Sequence, residues 1–166
     1  MKSAVVLFYG GPNVGITSLI ERRAADYVAE YEWGIGMEFY SERVKVDGED
    51  VNLLMFEIGR ENVLEVLEKG LKHGSAVIAL VYDVTNPDSL EDAMGFYSDI
   101  KPRLHDLPVL LVANKVDDED SRMVDASTGR SRASMIGAGY IETSAYEPAS
   151  VDRMLHKLAE LAVKKG

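Results

Sequence analysis

The chain contains no cysteine, which excludes disulfides, zinc sites built from thiolates and cysteine nucleophiles. It also lacks any run of about eighteen consecutive apolar residues, so no segment is predicted to span a membrane. Basic residues are scarce: 18 Lys and Arg stand against 28 Asp and Glu, for a net charge of −10. Such a surface repels nucleic acid and anionic lipid, and we expect neither as a partner.

The length and the two ends of the chain set further expectations. Its 166 residues suit one domain, spanning 1–166, with one substantial core. The first residues lead directly into an apolar run, without the layout of a signal peptide. The last residues, Lys164, Lys165 and Gly166, offer no cysteine for prenylation. We therefore expect a cytoplasmic protein without a membrane anchor in this chain.

Apolar runs alternate with helical patterns along the chain, which predicts an α/β fold. Crossover helices between strands imply a mostly parallel sheet of six strands with about five helices on both faces. A hairpin at Asp47 and Gly48 adds one antiparallel edge strand. The predicted strands are residues 4–9, 39–46, 51–56, 76–83, 108–113 and 140–142. The predicted helices are 17–27, 62–73, 125–136, 150–163 and one that starts at 86–89 and frays at Pro102.

A glycine-rich segment, residues 10–18, follows the first strand and opens a helix. It fits the phosphate-binding pattern G-x-x-x-x-G-K-[ST], except that Ile16 replaces the lysine. Glycines allow backbone amides to surround an anion, and the helix N-terminus adds a positive dipole end. A hydrogen bond to a charged group contributes about 1.5–3 kcal/mol, so triphosphate binding should be roughly ten- to a hundredfold weaker, or more. A tight strand-to-helix turn without a ligand is the alternative.

The fifth predicted strand runs into Asn114, Lys115 and Asp117, the N-K-x-D pattern of guanine-binding proteins. An ionised Asp117 can accept from both N1–H and the exocyclic amine of guanine, and adenine presents no such pair of donors. Asn114 would tie this segment to the glycine-rich loop, and the Lys115 stem would lie along the sugar and base. A polar turn at the strand end is the alternative.

A second motif, Glu-Thr-Ser-Ala at residues 142–145, follows the sixth strand. In a guanine site the backbone N–H of Ala145 donates to the guanine O6 atom, and Ser144 supports Asp117. Because both motifs stand at strand ends and a glycine-rich turn lies upstream, together they favour a nucleotide site over isolated turns.

With these motifs the chain resembles the Ras and Rab small GTPases over nearly its whole length. Residues 35–44, 46–48, 81–84 and 89–91 also match family segments. The resemblance implies a P-loop G domain with GTP or GDP as its ligand, and an aromatic residue, Tyr27, packed against the base. The nucleotide contacts it implies are Gly10, Asn13, Val14, Gly15, Ile16, Thr17, Ser18, Tyr27, Gly59, Asn114, Lys115, Asp117, Ser144, Ala145 and Tyr146.

The departures from the family concern phosphate and metal. Besides Ile16, Gly34 stands in place of the switch I threonine. The family's D-T-A-G-Q-E reads F-E-I-G-R-E at residues 56–61 and is one residue shorter. Its aspartate therefore maps to Glu57 or is lost to Phe56. The predicted metal ligands are Thr17 and Glu57, with Mg²⁺ itself an open question.

Arg60 replaces the glutamine that orients the attacking water in the family, and it is the candidate catalytic residue. Gly59 either senses the γ-phosphate or is only a turn residue. Since the replaced groups supply most of the family's catalysis, weak or absent hydrolysis is expected.

Three functions are compatible with these residues. The first is a GTPase-like protein that binds guanine nucleotide weakly and presents a switch or fixed surface to a protein partner. The second is an active GTPase with rearranged chemistry, in which Arg60 acts as a cationic finger and Glu57 holds the metal. The third is a ligand-free scaffold. The partner surface is expected around Tyr31, Trp33 and Tyr40, although Tyr40 also suits packing in the hairpin.

Overall fold

The computed structural model describes residues 2–23, 26–28, 39–70, 74–104 and 106–165. Its strands are β1 (Lys2–Tyr9), β2 (Asp26–Val28), β3 (Phe39–Val46), β4 (Glu49–Glu57), β5 (Ser75–Asp83), β6 (Val109–Asn114) and β7 (Gly139–Thr143). Its helices are α1 (Ile16–Arg23), α2 (Val63–Gly70), α3 (Pro87–Ile100), α4 (Ala126–Met135) and α5 (Pro148–Lys165). Short 3-10 turns occupy Lys101–Arg103 and Glu119–Ser121.

The strands form one sheet in the order β2-β3-β4-β1-β5-β6-β7. β1 pairs in parallel with β4 and β5, and the β5–β6 and β6–β7 pairs are also parallel. The β2–β3 and β3–β4 pairs are antiparallel. The predicted α/β class and all six predicted strands are confirmed, and β2 extends the antiparallel edge. Because the strand order reverses at β1, a crevice for a ligand is expected at its carboxyl end.

Apolar side chains fill a layer on each face of the sheet. On one face, Leu19 of α1 and Met154 of α5 are buried with Phe8. On the other face, Val66 of α2 and Phe96 of α3 are buried in a second cluster. The side chains of β1 alternate between these clusters, so a single central strand anchors both layers and holds the loop that follows it.

Local sequence signals determine the turn and the helix start that were predicted. Asp47 and Gly48 have φ values of 51° and 82°, the left-handed pair that a tight hairpin requires. The side chain of Asn86 accepts a hydrogen bond from the Asp88 N–H at the start of α3. Pro102 lies in the 3-10 turn that follows α3, as its expected fraying effect predicts.

Two predicted helix bounds need comment. The helix predicted over 17–27 is wrong at its end, because α1 stops at Arg23 and Tyr27 lies in β2, opposite Tyr40. Backbone pairing with β3 outweighs the local helical pattern there. The helix predicted over 62–73 is observed as α2, and residues 71–73 lie outside the described ranges. Within the described ranges, no helix is both long and apolar enough to cross a membrane.

Candidate functional site

A cavity of about 830 Å³ opens at the carboxyl ends of β1 and β4. It lies between the loop before α1, the segment after β4 and one side chain of α3. The lining residues are Tyr9, Gly10, Gly11, Pro12, Asn13, Val14, Gly15, Ile16, Thr17, Ser18, Glu57, Ile58, Gly59, Arg60, Glu61 and Asp92. The predicted phosphate-binding residues and the predicted metal and catalytic residues therefore share one cavity.

The loop from Gly10 to Gly15 is wound so tightly that two positions require glycine. Gly15 has a φ of 96°, and a Cβ there would lie 2.6 Å from the side-chain nitrogen of Asn114. A Cβ on Gly10 would lie 2.5 Å from Cγ2 of Val14 and 2.8 Å from the carbonyl oxygen of Val81. Such a glycine-lined cradle at a helix N-terminus suits an anionic ligand.

Ile16, which stands at the lysine position of the pattern, lines the cavity with an apolar side chain. Its side chain is only 7% exposed and belongs to the apolar cluster that contains Val14 and Leu19. The position that carries a phosphate-binding ammonium in the pattern therefore contributes apolar packing instead of charge.

The two predicted metal ligands are adjacent. The Thr17 hydroxyl donates to Oε1 of Glu57 over 2.5 Å. Phe56, the other position to which the family's aspartate could map, is fully buried and carries no ligand atom. Among the described residues no group of three or more His, Cys, Asp and Glu side chains could hold a metal. Magnesium commonly uses one or two carboxylates together with substrate phosphates. Thr17 and Glu57 thus fit a Mg²⁺ ion, which would neutralise phosphate charge.

The segment after β4 is held by backbone contacts. The Ile58 N–H donates to the Phe8 carbonyl oxygen over 2.9 Å, which extends the β1–β4 ladder. The Gly59 N–H donates to Oδ1 of Asn62 over 2.8 Å. In this conformation the amide that would sense a γ-phosphate is already paired within its own loop.

Arg60, the candidate catalytic residue, points toward α3. Its guanidinium forms an ion pair with Asp99 and lies 5.7 Å from the centre of the Phe96 ring. The Asp99 carboxylate raises the pKa of Arg60, so the side chain stays charged. The charge of Arg60 is thus neutralised at α3 in this conformation, although the residue borders the cavity.

Three cavity residues with polar or charged side chains were not singled out from the sequence. The Tyr9 hydroxyl donates to Oδ2 of Asp92 over 3.0 Å, and its ring stacks on Phe96 at 3.6 Å. Burial and the Asp92 carboxylate raise the pKa of Tyr9, so it remains a neutral donor. The third is Glu61. The only sequence signal for Tyr9 was its position at the carboxyl end of a buried strand.

The segment with the N-K-x-D motif, which is predicted to recognise the base, is attached to the glycine-rich loop as predicted. The Asn114 side-chain amide donates to the Val14 carbonyl oxygen over 2.8 Å and accepts from the Thr143 hydroxyl over 2.9 Å. The Lys115 ammonium donates to the Asn13 carbonyl oxygen over 2.6 Å. These contacts join the carboxyl ends of β1, β6 and β7 into one frame.

Asp83, at the end of β5, also holds Lys115 and was missed in the sequence. Its Oδ2 atom lies 3.0 Å from the Lys115 ammonium. Burial alone would raise the pKa of Asp83, but hydrogen bonds from Thr85 and Lys115 hold it below its usual value. A carboxylate that ends a buried strand, at the edge where ligands bind, was the available signal.

The carboxylate of Asp117 is oriented by a neighbour, as predicted. The Ser144 hydroxyl donates to its Oδ1 atom over 2.6 Å and accepts from the Tyr146 N–H over 3.0 Å. The Ser144 N–H donates in turn to the Ser150 hydroxyl over 3.0 Å, at the start of α5.

A model of the Ras family matches residues 5–164, which include the glycine-rich loop and both base motifs. The chain belongs to the Ras family.

Membership of the Ras family identifies this chain as a small-GTPase-like nucleotide-binding protein with a P-loop fold. It implies a guanine nucleotide as ligand, usually with Mg²⁺. The residues that contact the base in such a site, and the loop that faces the phosphates, are brought together here at one edge of the sheet.

Two arginines that the sequence did not single out support the base end of this Ras family protein. Arg122 pairs with Glu142 over 2.6 Å, and its Nε donates to the Val124 carbonyl oxygen over 2.8 Å. This joins the segment after β6 to β7. Arg22 of α1 donates to the carbonyl oxygen of Ala145. The first contact ties the segment after the N-K-x-D motif to the Glu-Thr-Ser-Ala motif, and the second ties the Glu-Thr-Ser-Ala motif to α1.

The remaining predicted residues of the Ras family site lie at or beyond the described ranges. For Tyr27 only the backbone is described, in β2, so its contact with a base stays a prediction. Tyr31, Trp33 and Gly34 lie outside the described ranges. Tyr40 is half-buried, packs against the α1–α5 layer and donates to Glu21 over 3.1 Å.

Proposed function

We propose that this Ras family protein binds guanine nucleotide weakly, hydrolyses GTP slowly or not at all, and presents a fixed surface to a protein partner. The observation that carries the proposal is a contrast within one site. At the base end of the site, around Asp117, side-chain hydrogen bonds hold the residues in place. At the phosphate end, around the glycine-rich loop, Ile16 is uncharged and buried, and the charge of Arg60 is already paired with Asp99.

Guanine selectivity is supported by the geometry of Asp117. A carboxylate that is held by Ser144 has lost much of its rotational freedom before the base arrives. Binding then costs less side-chain entropy, which favours affinity for the one base whose edge offers two adjacent donors. ATP is a poor ligand for the same reason, because adenine lacks that edge.

Weak hydrolysis is supported by the phosphate end. Phosphoryl transfer depends mostly on positioning and on neutralising charge on the phosphate oxygens. Here Ile16 is packed in the core, the Gly59 amide is paired with Asn62, and Arg60 is paired with Asp99. Each of these groups would have to rearrange before it contributed to catalysis.

The proposal of a fixed surface is supported by the contacts that hold residues 58–62 in place. The segment of residues 58–62 is attached to β1 through Ile58 and to α3 through Arg60. We propose that a protein partner docks on the surface that includes Tyr40, with Tyr31 and Trp33 as the other candidate anchors. Aromatic residues are common anchors at protein interfaces.

Calorimetric titration of purified, ligand-free protein with GDP, GTP and ADP tests the proposal, together with single-turnover hydrolysis. Guanine-selective binding with turnover far below that of typical family members is expected. The Asp117→Asn variant should lose guanine affinity, whereas Asp120→Asn, the same chemical change on an exposed 3-10 turn, should not. Absence of binding would favour the scaffold, and hydrolysis at a rate typical of the family would contradict the proposal.

The adjacency of Thr17 and Glu57 favours a second candidate, an active GTPase with rearranged residues. In this case Glu57 holds the metal and Arg60 leaves Asp99 to reach the phosphates. An Arg60→Ala variant should then abolish turnover, while Arg103→Ala, an exposed arginine beyond α3, should leave it intact. Turnover that survives in Arg60→Ala rules out the role of Arg60.

A further inference from the structure

A second cavity, of about 400 Å³, opens at the base end of the site. Its described lining consists of Ser18, Glu21, Arg22, Ala145 and Tyr146. Ser18 also lines the cavity at the glycine-rich loop, so the two cavities meet at the first turn of α1. Ala145, whose N–H is predicted to contact the base, therefore shares a cavity with Arg22, the one cation in this described lining.

The turn that follows β7 is fixed by its own hydrogen bonds. The Ser144 carbonyl oxygen accepts from the Glu147 N–H over 3.0 Å and from the Ser150 hydroxyl over 3.1 Å. The Tyr146 N–H donates to the Ser144 hydroxyl oxygen over 3.0 Å. Among the described residues, the Ala145 N–H has no such partner. The turn thus leaves for a ligand the donor that is predicted to contact the guanine O6 atom.

Arg22 holds the next peptide unit of this turn. Its Nε donates to the Ala145 carbonyl oxygen, which belongs to the same planar peptide as the Tyr146 N–H. That peptide is therefore held at its oxygen by Arg22 and at its nitrogen by the Ser144 hydroxyl. Arg22 extends from α1, which is fixed in the core by the buried side chain of Leu19.

These contacts form a continuous chain from a cation to the carboxylate that is predicted to recognise the base. Arg22 donates to the Ala145 carbonyl oxygen, the Tyr146 N–H of that peptide donates to Ser144, and the Ser144 hydroxyl donates to Asp117 over 2.6 Å. A positive charge at a carbonyl oxygen makes the N–H of the same peptide a stronger donor, and hydrogen bonds linked in this way strengthen one another. Arg22 therefore favours the one rotamer of Ser144 that orients Asp117.

From this chain of contacts we infer that Arg22 is a positioning residue for guanine recognition and acts on Asp117 through Ser144. The inference rests on the proposed guanine-nucleotide function, and it names a residue outside both base motifs that sets the selectivity of the site. A carboxylate accepts from N1–H and from the exocyclic amine together only while its orientation is held. Without Arg22, the contact with the amine should weaken most.

Titration calorimetry with GDP and inosine diphosphate tests this role on the full chain after bound nucleotide has been removed. Inosine diphosphate keeps the O6 atom and the N1–H and lacks the exocyclic amine. Arg22→Ala should bind GDP about fivefold more weakly and reduce the preference for GDP over inosine diphosphate about threefold. Arg22→Lys retains a charged donor and should recover most of both quantities.

A matched control separates this role from a general effect of charge. Arg103→Ala, at an exposed position in the 3-10 turn after α3, removes the same charge and should change neither quantity. If Arg22 only attracted the phosphates, its loss would weaken both nucleotides equally. An unchanged preference in Arg22→Ala therefore overturns the inference, and so does a lysine variant that behaves like the alanine variant.

A double-mutant cycle tests the route through Ser144. In a Ser144→Ala background the chain is already broken, so adding Arg22→Ala should cost less than about twofold in GDP affinity. Fully additive losses overturn this route. Thermal melts check that the single and double variants are folded.

The wild-type titration separates this inference from the proposed function. If the wild type binds no guanine nucleotide, both fail. If the wild type binds GDP selectively and Arg22→Ala keeps the wild-type affinity and preference, the inference about Arg22 fails and the guanine function stands.

Discussion

The Ser144 hydroxyl donates to the Asp117 carboxylate over 2.6 Å, across two motifs that are 27 residues apart in the chain. The donor stands after β7 and the acceptor after β6, so the contact exists only when these two strands pair in parallel. The carboxylate that is predicted to recognise the base is thus oriented by the pairing of β6 with β7.

Replacing Ser144 with Ala should weaken GDP binding by roughly tenfold. A hydrogen bond to a charged group contributes about 1.5–3 kcal/mol, and part of this is recovered when water solvates Asp117. Calorimetric titration measures the loss. Ser134→Ala on the exposed face of α4 is the matched control, and an unchanged GDP affinity in Ser144→Ala would show that Asp117 needs no support.

The glycine at position 15 provides a test of how the loop is coupled to the base segment. Gly15→Ala places a methyl group 2.6 Å from the side-chain nitrogen of Asn114, and residue 15 has a φ of 96°. Gly48→Ala has a similar φ of 82° with no atom within 4 Å of the new methyl group. Left-handed backbone costs a non-glycine residue about 1–2 kcal/mol in either variant.

We therefore expect Gly15→Ala to be the more damaging of the two. It should lose a further 1–3 kcal/mol, roughly, because the hydrogen bond from Asn114 to Val14 must move or break. Urea unfolding measures the free energy of unfolding of both variants, and calorimetric titration measures their affinity for GDP. Equal destabilisation in the two variants would argue that Asn114 adapts without cost.

Elements whose chemistry is local were predictable from the sequence. The turn at Asp47 and Gly48 follows from their tolerance of positive φ, and the start of α3 follows from Asn86 and Pro87. The base motifs were likewise readable, because fixed residue types stand at fixed spacing after a buried strand. These features need no knowledge of the rest of the fold.

Features that depend on distant pairing were not predictable. The sequence shows that Arg60 is a cation but not that Asp99, 39 residues later, pairs with it. Residues 17–27 have a helical pattern, and only pairing with β3 makes Asp26–Val28 a strand. The burial of Ile16 in an apolar cluster was equally hidden, because an isoleucine after a glycine-rich loop could face either way.

The ion pair at Glu142 predicts a pH dependence of stability. Burial alone would raise the pKa of Glu142, but hydrogen bonds from Arg122 and Tyr140 hold it below its usual value. A lowered folded-state pKa means that the charged form favours folding. This contribution is fully present above the unfolded-state pKa of about 4.3 and is lost as the pH falls through the folded-state value.

Glu142→Gln should therefore be less stable than the wild type at neutral pH, and the difference should shrink below about pH 4. Urea unfolding of the wild type and of Glu142→Gln, at neutral and at acidic pH, measures this difference in the free energy of unfolding. Glu68→Gln on α2 is the control for a general charge effect. A difference that is the same at both pH values would mean that the Glu142 contacts do not depend on its charge.

Replacing Ile16 with Lys should raise the affinity for GTP and lower the free energy of unfolding. The ammonium would gain a charge-assisted contact with the β- and γ-phosphates, and GTP affinity should rise roughly ten- to a hundredfold. The buried side chain of Ile16 packs with Val14 and Leu19, so its loss from the apolar cluster should cost about 2–5 kcal/mol of folding free energy. Ile16→Met, an unbranched side chain without charge, separates the two effects: it should lose little stability and gain no GTP affinity. Calorimetry and urea unfolding on the three proteins measure both quantities, and a lysine variant that binds GTP no better than the methionine variant would show that other groups limit the phosphate end.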